Sequence, residues 1–283
     1  IDGIDPATLA KTFDGDGLNV IVDVGGMDSP DNLRALAQVN GAVRVAWICD
    51  WRGLERQIYD AGIAAHSSRA EGGIALWQPA CGAYPLLRDW TRALQPSGGG
   101  AQFCFGGDVR LSQLNGETVA LWRAVLEASP RAILLLRAND MAPGPNIDRL
   151  VARFGADLAR RIDVIDTAQA EAFWYQVDLG LAPLVADAPR LAAEAVACGV
   201  PVLALDETGA DAAMLRDLRL DALIAKKPDD YVAMATALAG APAKRAEAAS
   251  AAAPVAARGE AMASEIAAAI EAAARAMLSK VAA

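Results

Sequence analysis

"RLAAEAVACGVPVLALDETG", residues 190–209, is a helix-to-strand junction written almost without polar residues. Leu191, Val196 and Cys198 among alanines give an apolar helix, Gly199 stands where a helix turns left-handed, and Pro201 bars its continuation. "PVLAL" (201–205) then has no polar side chain at all, as a strand buried on both faces of a parallel sheet requires. One residue breaks the pattern. Glu194 sits between Ala192, Ala193 and Ala195, small neighbours that let another group come close to its carboxylate. Asp187 is a candidate cap for this helix, which would put Glu194 about two turns in.

The same alternation extends in both directions. "NVIVDV" (19–24), "VRVAWI" (43–48), "GIALW" (73–77), "QFCFG" (102–106), "AILLLRA" (132–138), "IDVID" (162–166) and "LGLAPL" (179–184) predict further strands. Helical spacing fills the intervals in the second half: "NGETVALWRAVLEASP" (115–130) offers Asn115 as a cap, and "PDDYVAMATALAG" (228–240) runs from a proline to a glycine. Repeated strand, helix, strand predicts βαβ units and an α/β fold of parallel sheets. "QPSGGGA" (95–101) supports neither element and predicts a linker. After Pro242 the alanine-rich sequence predicts one or two helices across a surface, broken near Pro254 and Gly259.

Composition narrows the function. The chain has 26 Lys and Arg against 35 Asp and Glu, a formal charge of −9, and no basic run, which disfavours nucleic acid and anionic membranes as partners. Cys49, Cys81, Cys104 and Cys198 are far apart without a C-x-x-C pair and read as reduced core thiols of a cytoplasmic protein. Neither a membrane-spanning run nor a leader is visible, and the start at Ile1, inside an organised pattern, reads as the start of a fragment. A single histidine, His66 in "GIAAHSSRAEGG" (62–73), which reads as a loop of the first half, and no cluster with ligand spacing argue against a metal site. Gly25-Gly26, after a strand, predicts a turn that a ligand backbone can approach, or merely a tight turn. No G-x-G-x-x-G, phosphate-binding loop or G-x-S-x-G occurs.

Open parallel sheets bind ligands at the carboxyl ends of their strands. In the second half those ends are Phe105–Arg110, Arg137–Asp140, Asp166–Ala168, Val185–Arg190 and Asp206–Ala210. Glu194 stands just behind one of them. Its carboxylate can accept both vicinal hydroxyls of a ribose, or it can be a solvated glutamate with no ligand.

"RLAAEAVACGVPVLAL" resembles the donor-site segment of GT-B glycosyltransferases. The ordered blocks "ETVALWRAVLEASPRAILLLRA", "NIDRLVARFGADLARRIDVID", "VDLGLAPL", "EAVACGVPVLAL" and "DLRLDALIAKKPDDYVAMATALA" are similar to the catalytic part of the O-GlcNAc transferase and SPINDLY-like protein glycosyltransferases. "DGLNVIVDVGGMDSPDNLRALAQVNGAVRVAW" resembles the N-terminal lobe of that family, so the similarity spans residues 12 to about 240. It implies a GT-B fold: two Rossmann-like lobes with parallel sheets facing across a cleft, the first truncated at its beginning. The implied organisation is an acceptor-side lobe (1–98), a nucleotide-sugar-binding lobe (99–240) and a helical tail (241–283) packing back on the first lobe. It further implies an inverting, metal-independent transfer from a nucleotide-activated sugar to a serine or threonine hydroxyl of a protein. Some bacterial relatives look like flagellin-modifying enzymes, and tetratricopeptide repeats would precede Ile1. The family's histidine-bearing segment also falls before Ile1, so no catalytic residue is assigned, and no cofactor is implied.

By the same resemblance, Glu194 would hold ribose, while Arg190, Arg137, Arg110 and Gln113 would meet phosphate or a sugar carboxylate, with Lys226 in "LIAKK" a weaker candidate. Departures cluster at the phosphate. Gln113 stands where the family has a lysine, leaving Arg110 as the nearest cation, and "DAPRLAAE" replaces a run of glycine and threonine that offers donors. The family arginine after "VLAL" has no counterpart in "DETGADAAML", and "ICDWRGLERQ" replaces the acceptor-side P-G-T-S-G loop. A donor with one phosphate, such as a CMP-activated nonulosonic acid, asks less of such a site than UDP-GlcNAc. Two alternatives stand beside these donors: a degenerate GT-B module that binds protein clients, and a transferase acting on free sugars or lipids.

Overall fold

The computed structural model describes residues 4–24, 30–47, 58–63, 75–77, 102–110, 113–137, 145–165, 170–185, 190–206, 210–241, 247, 250 and 259–281. The linker 95–101, Gly25-Gly26, His66, Asp187, Cys49 and Cys81 lie outside them. The chain divides into two compact units, residues 1–85 with 260–283, and residues 86–259.

The first unit opens with α1 (Pro6–Gly15), capped by the Asp5 carboxylate, which accepts from the Thr8 amide at 3.0 Å. β1 (Val20–Asp23), α2 (Pro30–Leu36), β2 (Val43–Trp47), β3 (Ala61–Ile63) and β4 (Ala75–Trp77) follow, and the strands pair in parallel in the order β1-β2-β3-β4. Alternation sorts β2 between the two faces. Val43 and Val45 join Ala61 and Ile63 in one cluster, and Ala46 joins Leu36 and Tyr59 in another. Ile270, from the C-terminal helix that we number α9 (Gly259–Val281), packs on the first cluster. β3 corrects the sequence reading, in which Gly62 and Ile63 belonged to the His66 loop; three residues make too short a run to show a period.

The second unit contains β5 (Cys104–Asp108), α3 (Gly116–Ala128), β6 (Ile133–Arg137), α4 (Pro145–Arg153), β7 (Ile162–Ile165), α5 (Ala170–Trp174), β8 (Leu179–Leu181), α6 (Arg190–Ala197), β9 (Val202–Leu205), α7 (Ala210–Asp217), β10 (Ile224–Ala225) and α8 (Pro228–Gly240). Asn115 caps α3, accepting from the Thr118 amide at 2.8 Å. All pairings are parallel, and the sheet order is β10-β9-β8-β5-β6-β7. Counted from β5 this is the doubly wound order 3-2-1-4-5-6, whose direction reverses between β5 and β8. Ligand crevices open at that reversal, beyond the carboxyl ends of the two strands.

Two glycines let the central strand lie under large side chains. A Cβ on Gly107 would sit 2.6 Å from the Trp122 ring of α3, and one on Gly106 would run into Val177. Trp122 is fully buried as a result. At the other junction α6 ends as the sequence predicts: Gly199 has φ of +72°, and the Val200 amide donates back to Ala195 at 2.8 Å. Pro201 then starts the approach to β9. No helix among the described residues is long and apolar enough to cross a membrane.

Candidate functional site

The run "QFCFG" (102–106) predicts a strand ending at Gly106, but β5 begins at Cys104 and continues to Asp108. That shift matters, because the β5–β6 register sets Asp108 directly beside Arg137, the last residue of β6. Parallel neighbours in register project to the same face, so an acid and a base meet at the carboxyl ends of two adjacent strands. Arg137 donates through Nη1 to Asp108 Oδ2 at 2.6 Å and to Glu194 Oε2 at 3.1 Å. The side chains of Asp108 and Arg137 are 0% and 7% exposed, whereas Glu194 keeps 17%.

Glu194 therefore does not point into bulk solvent. It lies in the second turn of α6, nearer the helix start than a cap at Asp187 implies, and its neighbours Ala192, Ala193, Ala195 and Val196 are all fully buried. A carboxylate in such a helix costs several kcal/mol to desolvate unless it is paired, and the guanidinium supplies the pairing. Two carboxylates share one arginine. Arg137 thus bonds to two acids through one nitrogen.

Arg110 and Gln113 follow β5 and hold each other: the Arg110 amide donates to Gln113 Oε1 at 2.9 Å, and the Gln113 amide to the Arg110 carbonyl at 3.0 Å. Arg190 is the first residue of α6. Lys226 is exposed directly after β10, the edge strand two places from β8, roughly 10 Å away across the sheet. Thus the structure unites Glu194 with Arg137, and Arg110 with Gln113, but puts Lys226 at the far edge.

Two acids escaped sequence reasoning as individuals. Asp108 was legible only as part of a rim segment. Asp211, fully buried in the first turn of α7, accepts the Ala192 amide of α6 at 3.0 Å through Oδ1. Its signal, an acid among small residues in "GADAAML", is the one that marks Glu194.

Elsewhere in this unit other titratable groups are locked. Asp206, just past β9, is ion-paired with Arg216 of α7. The Tyr231 hydroxyl of α8 donates to the Ala182 carbonyl, just past β8, at 3.4 Å, and burial drives its pKa far above the ordinary phenol range. The Cys104 thiol is pushed up to about 12 by burial and by the nearby Asp178 and Asp163 charges, which keeps it an unreactive thiol. Among the described residues no group of three His, Cys, Asp or Glu side chains is placed to hold a metal ion.

No protein-family model matches the chain, and no curated protein sequence matches it. Solved structures do. The Thermobaculum terrenum O-GlcNAc transferase, in a mutant form, superposes with a TM-score of 0.73 at 21% identity over 98% of this chain and 57% of its own. The fold is GT-B. The GT-B likeness extends to the pneumococcal O-GlcNAc transferase GtfA in complex with UDP and GlcNAc (TM-score 0.60, 13% identity, 95% of this chain and 60% of that one). It extends also to Anabaena HepE with UDP and glucose (TM-score 0.62, 12% identity, 98% and 81%). This chain spans a little over half the length of the two O-GlcNAc transferases. At such identities the GT-B fold is what the superpositions establish.

Proposed function

We propose that the chain is the catalytic part of a glycosyltransferase whose second unit binds a nucleotide-activated sugar, with Glu194 accepting the ribose hydroxyls. One observation carries this reading: a partly exposed carboxylate stands beside the reversal point of a doubly wound sheet, held there by a guanidinium that Asp108 anchors from beneath. The complexes of GtfA with UDP and GlcNAc and of HepE with UDP and glucose support a nucleotide sugar as the ligand. Arg137 then positions Glu194, and Arg190, Arg110, Gln113 and Lys226 are left as the groups for phosphate or a sugar carboxylate.

The acceptor is a serine or threonine hydroxyl of a protein, flagellin among the candidates, in the cytoplasm. Its oxygen bonds to the anomeric carbon from the face opposite the leaving group, so configuration inverts. The bond to the phosphate oxygen breaks, the nucleotide departs with the electron pair, and the hydroxyl proton passes to a base not yet assigned. No metal takes part in this scheme, and a repeat domain ahead of Ile1 would present the acceptor. The replacement of the family's phosphate-site lysine by Gln113 and the absence of its arginine from "DETGADAAML" favour a CMP-activated nonulosonic acid over UDP-GlcNAc.

A second reading, a GT-B module that binds protein clients without transfer, draws support from the pairing of Arg137 with two acids. Incubating the full-length protein with flagellin and each donor, followed by intact-mass analysis, separates the two. A mass gain equal to one sugar residue supports the enzyme. Client binding without mass gain supports the module, and failure of UDP and CMP compounds to bind overturns the glycosyltransferase.

A further inference from the structure

The crevice of the second unit opens where the sheet reverses, between the segment that leaves β5 and the segment that leaves β8. The spacing of these two segments decides whether both can engage one ligand. A single side chain joins them. Thr118, the third residue of α3, is fully buried. Its amide donates to the Asn115 cap, where the β5 segment ends, at 2.8 Å, and its hydroxyl oxygen accepts the amide of Leu184, three residues past β8, at 3.2 Å. The start of α3 is itself held, because Arg153 of α4 donates through Nη1 to the carbonyl of Leu114, the residue before the cap, at 2.6 Å. A helix threonine commonly turns its hydroxyl back on the carbonyl four residues earlier. Here the oxygen serves a backbone N–H that lies 66 residues away in sequence.

We propose that Thr118 is a positioning residue for the donor: its hydroxyl fixes the segment leaving β8 to the start of α3 and so sets the width of the crevice before a nucleotide arrives. Being fully buried, it acts through Leu184 and not by touching the ligand. A site set in advance spares the nucleotide the cost of ordering it. This rests on the nucleotide-sugar reading above, and it deepens that reading by naming what presets the donor site.

The test is titration of CMP and UDP into the full-length protein and its Thr118→Val and Thr118→Ser variants, with urea denaturation of each alongside. Valine fills the space but cannot accept the Leu184 N–H, whereas serine keeps the oxygen and loses a buried methyl. Affinity for the nucleotide that the native protein binds should fall about tenfold in Thr118→Val, because fixing one freed residue again is worth about that factor. In Thr118→Ser it should stay within about twofold of native, although the denaturation midpoint falls. A merely structural role would leave both folded variants with native affinity. Native affinity in folded Thr118→Val, or equal losses in the two variants, overturns the proposal and leaves the nucleotide-sugar reading standing. If neither nucleotide binds the native protein, that reading fails and the proposal with it. Should Thr118→Val not fold, amide exchange in the native protein decides. The Leu184 amide is expected to be protected about as well without nucleotide as with it, and protection that arises only with nucleotide overturns the proposal.

Discussion

Arg137 bonds to two carboxylates at the strand ends. Replacing it with methionine keeps the volume but removes the guanidinium from the buried Asp108 carboxylate, and such broken pairs cost about 3–5 kcal/mol, measurable by urea denaturation. Arg219 offers the opposite prospect. It is an exposed non-glycine at φ of +63° just past α7, with the Leu220 amide bonded back to Leu215, so Arg219→Gly should stabilise by roughly 0.5–1 kcal/mol and raise the melting temperature. In the first unit, burial alone would raise the Asp60 carboxyl, but hydrogen bonds from the Arg44 side chain and backbone, with its charge, hold it below the usual carboxylate range. A depressed folded value adds stability that is present above the unfolded pKa of about 4 and is lost as pH falls through the folded value. Asp60→Asn should therefore flatten the acid limb of the stability curve below about pH 4, with little change in its slope at neutral pH. Glu194 was legible in the sequence because a glutamate among alanines is conspicuous. Its guanidinium partner was not, since the contact joins residues 57 apart in sequence; nor was Asp211, whose amide partner lies 19 residues before it.

Strand β5 shows what short-range patterns can and cannot carry. Its two glycines are the positions where Val177 and Trp122 close over the sheet. Gly107→Ala would set a methyl 2.6 Å from the Trp122 ring and should cost about 1–3 kcal/mol, visible as a lower denaturation midpoint with an unchanged slope. Helix ends were legible where one residue decides them: Asn115 before α3, Pro228 in α8, Gly199 after α6. β3 and β10 were not, because three- and two-residue strands exist only through pairing with β2, β4 and β9. The strand end at Asp108 was missed for a related reason. Pairing with β6, set by residues 29 positions on, carries β5 past its apolar run.

Taken as a whole, the chain revealed its class but not its strand order. Continuous apolar runs separated by helical spacing establish parallel sheets, whereas the 3-2-1-4-5-6 sequence of neighbours is fixed by crossovers that no local window contains. The C-terminal helix illustrates the same non-locality, for Ile270 completes a cluster built from Val43, Val45, Ala61 and Ile63. Truncation before Gly259 should expose that cluster and speed amide exchange in β2 and β3, while β5 and β6 keep their protection. The most direct test of the donor site is titration of uridine, cytidine and their 2′-deoxy forms into native protein and Glu194→Ala, in which Arg137 retains Asp108. A ribose-binding Glu194 requires that the native protein prefer a ribonucleoside and that the variant lose about 10- to 100-fold in affinity together with that preference. Equal binding of ribose and deoxyribose forms, or affinity unchanged in Glu194→Ala, would contradict it.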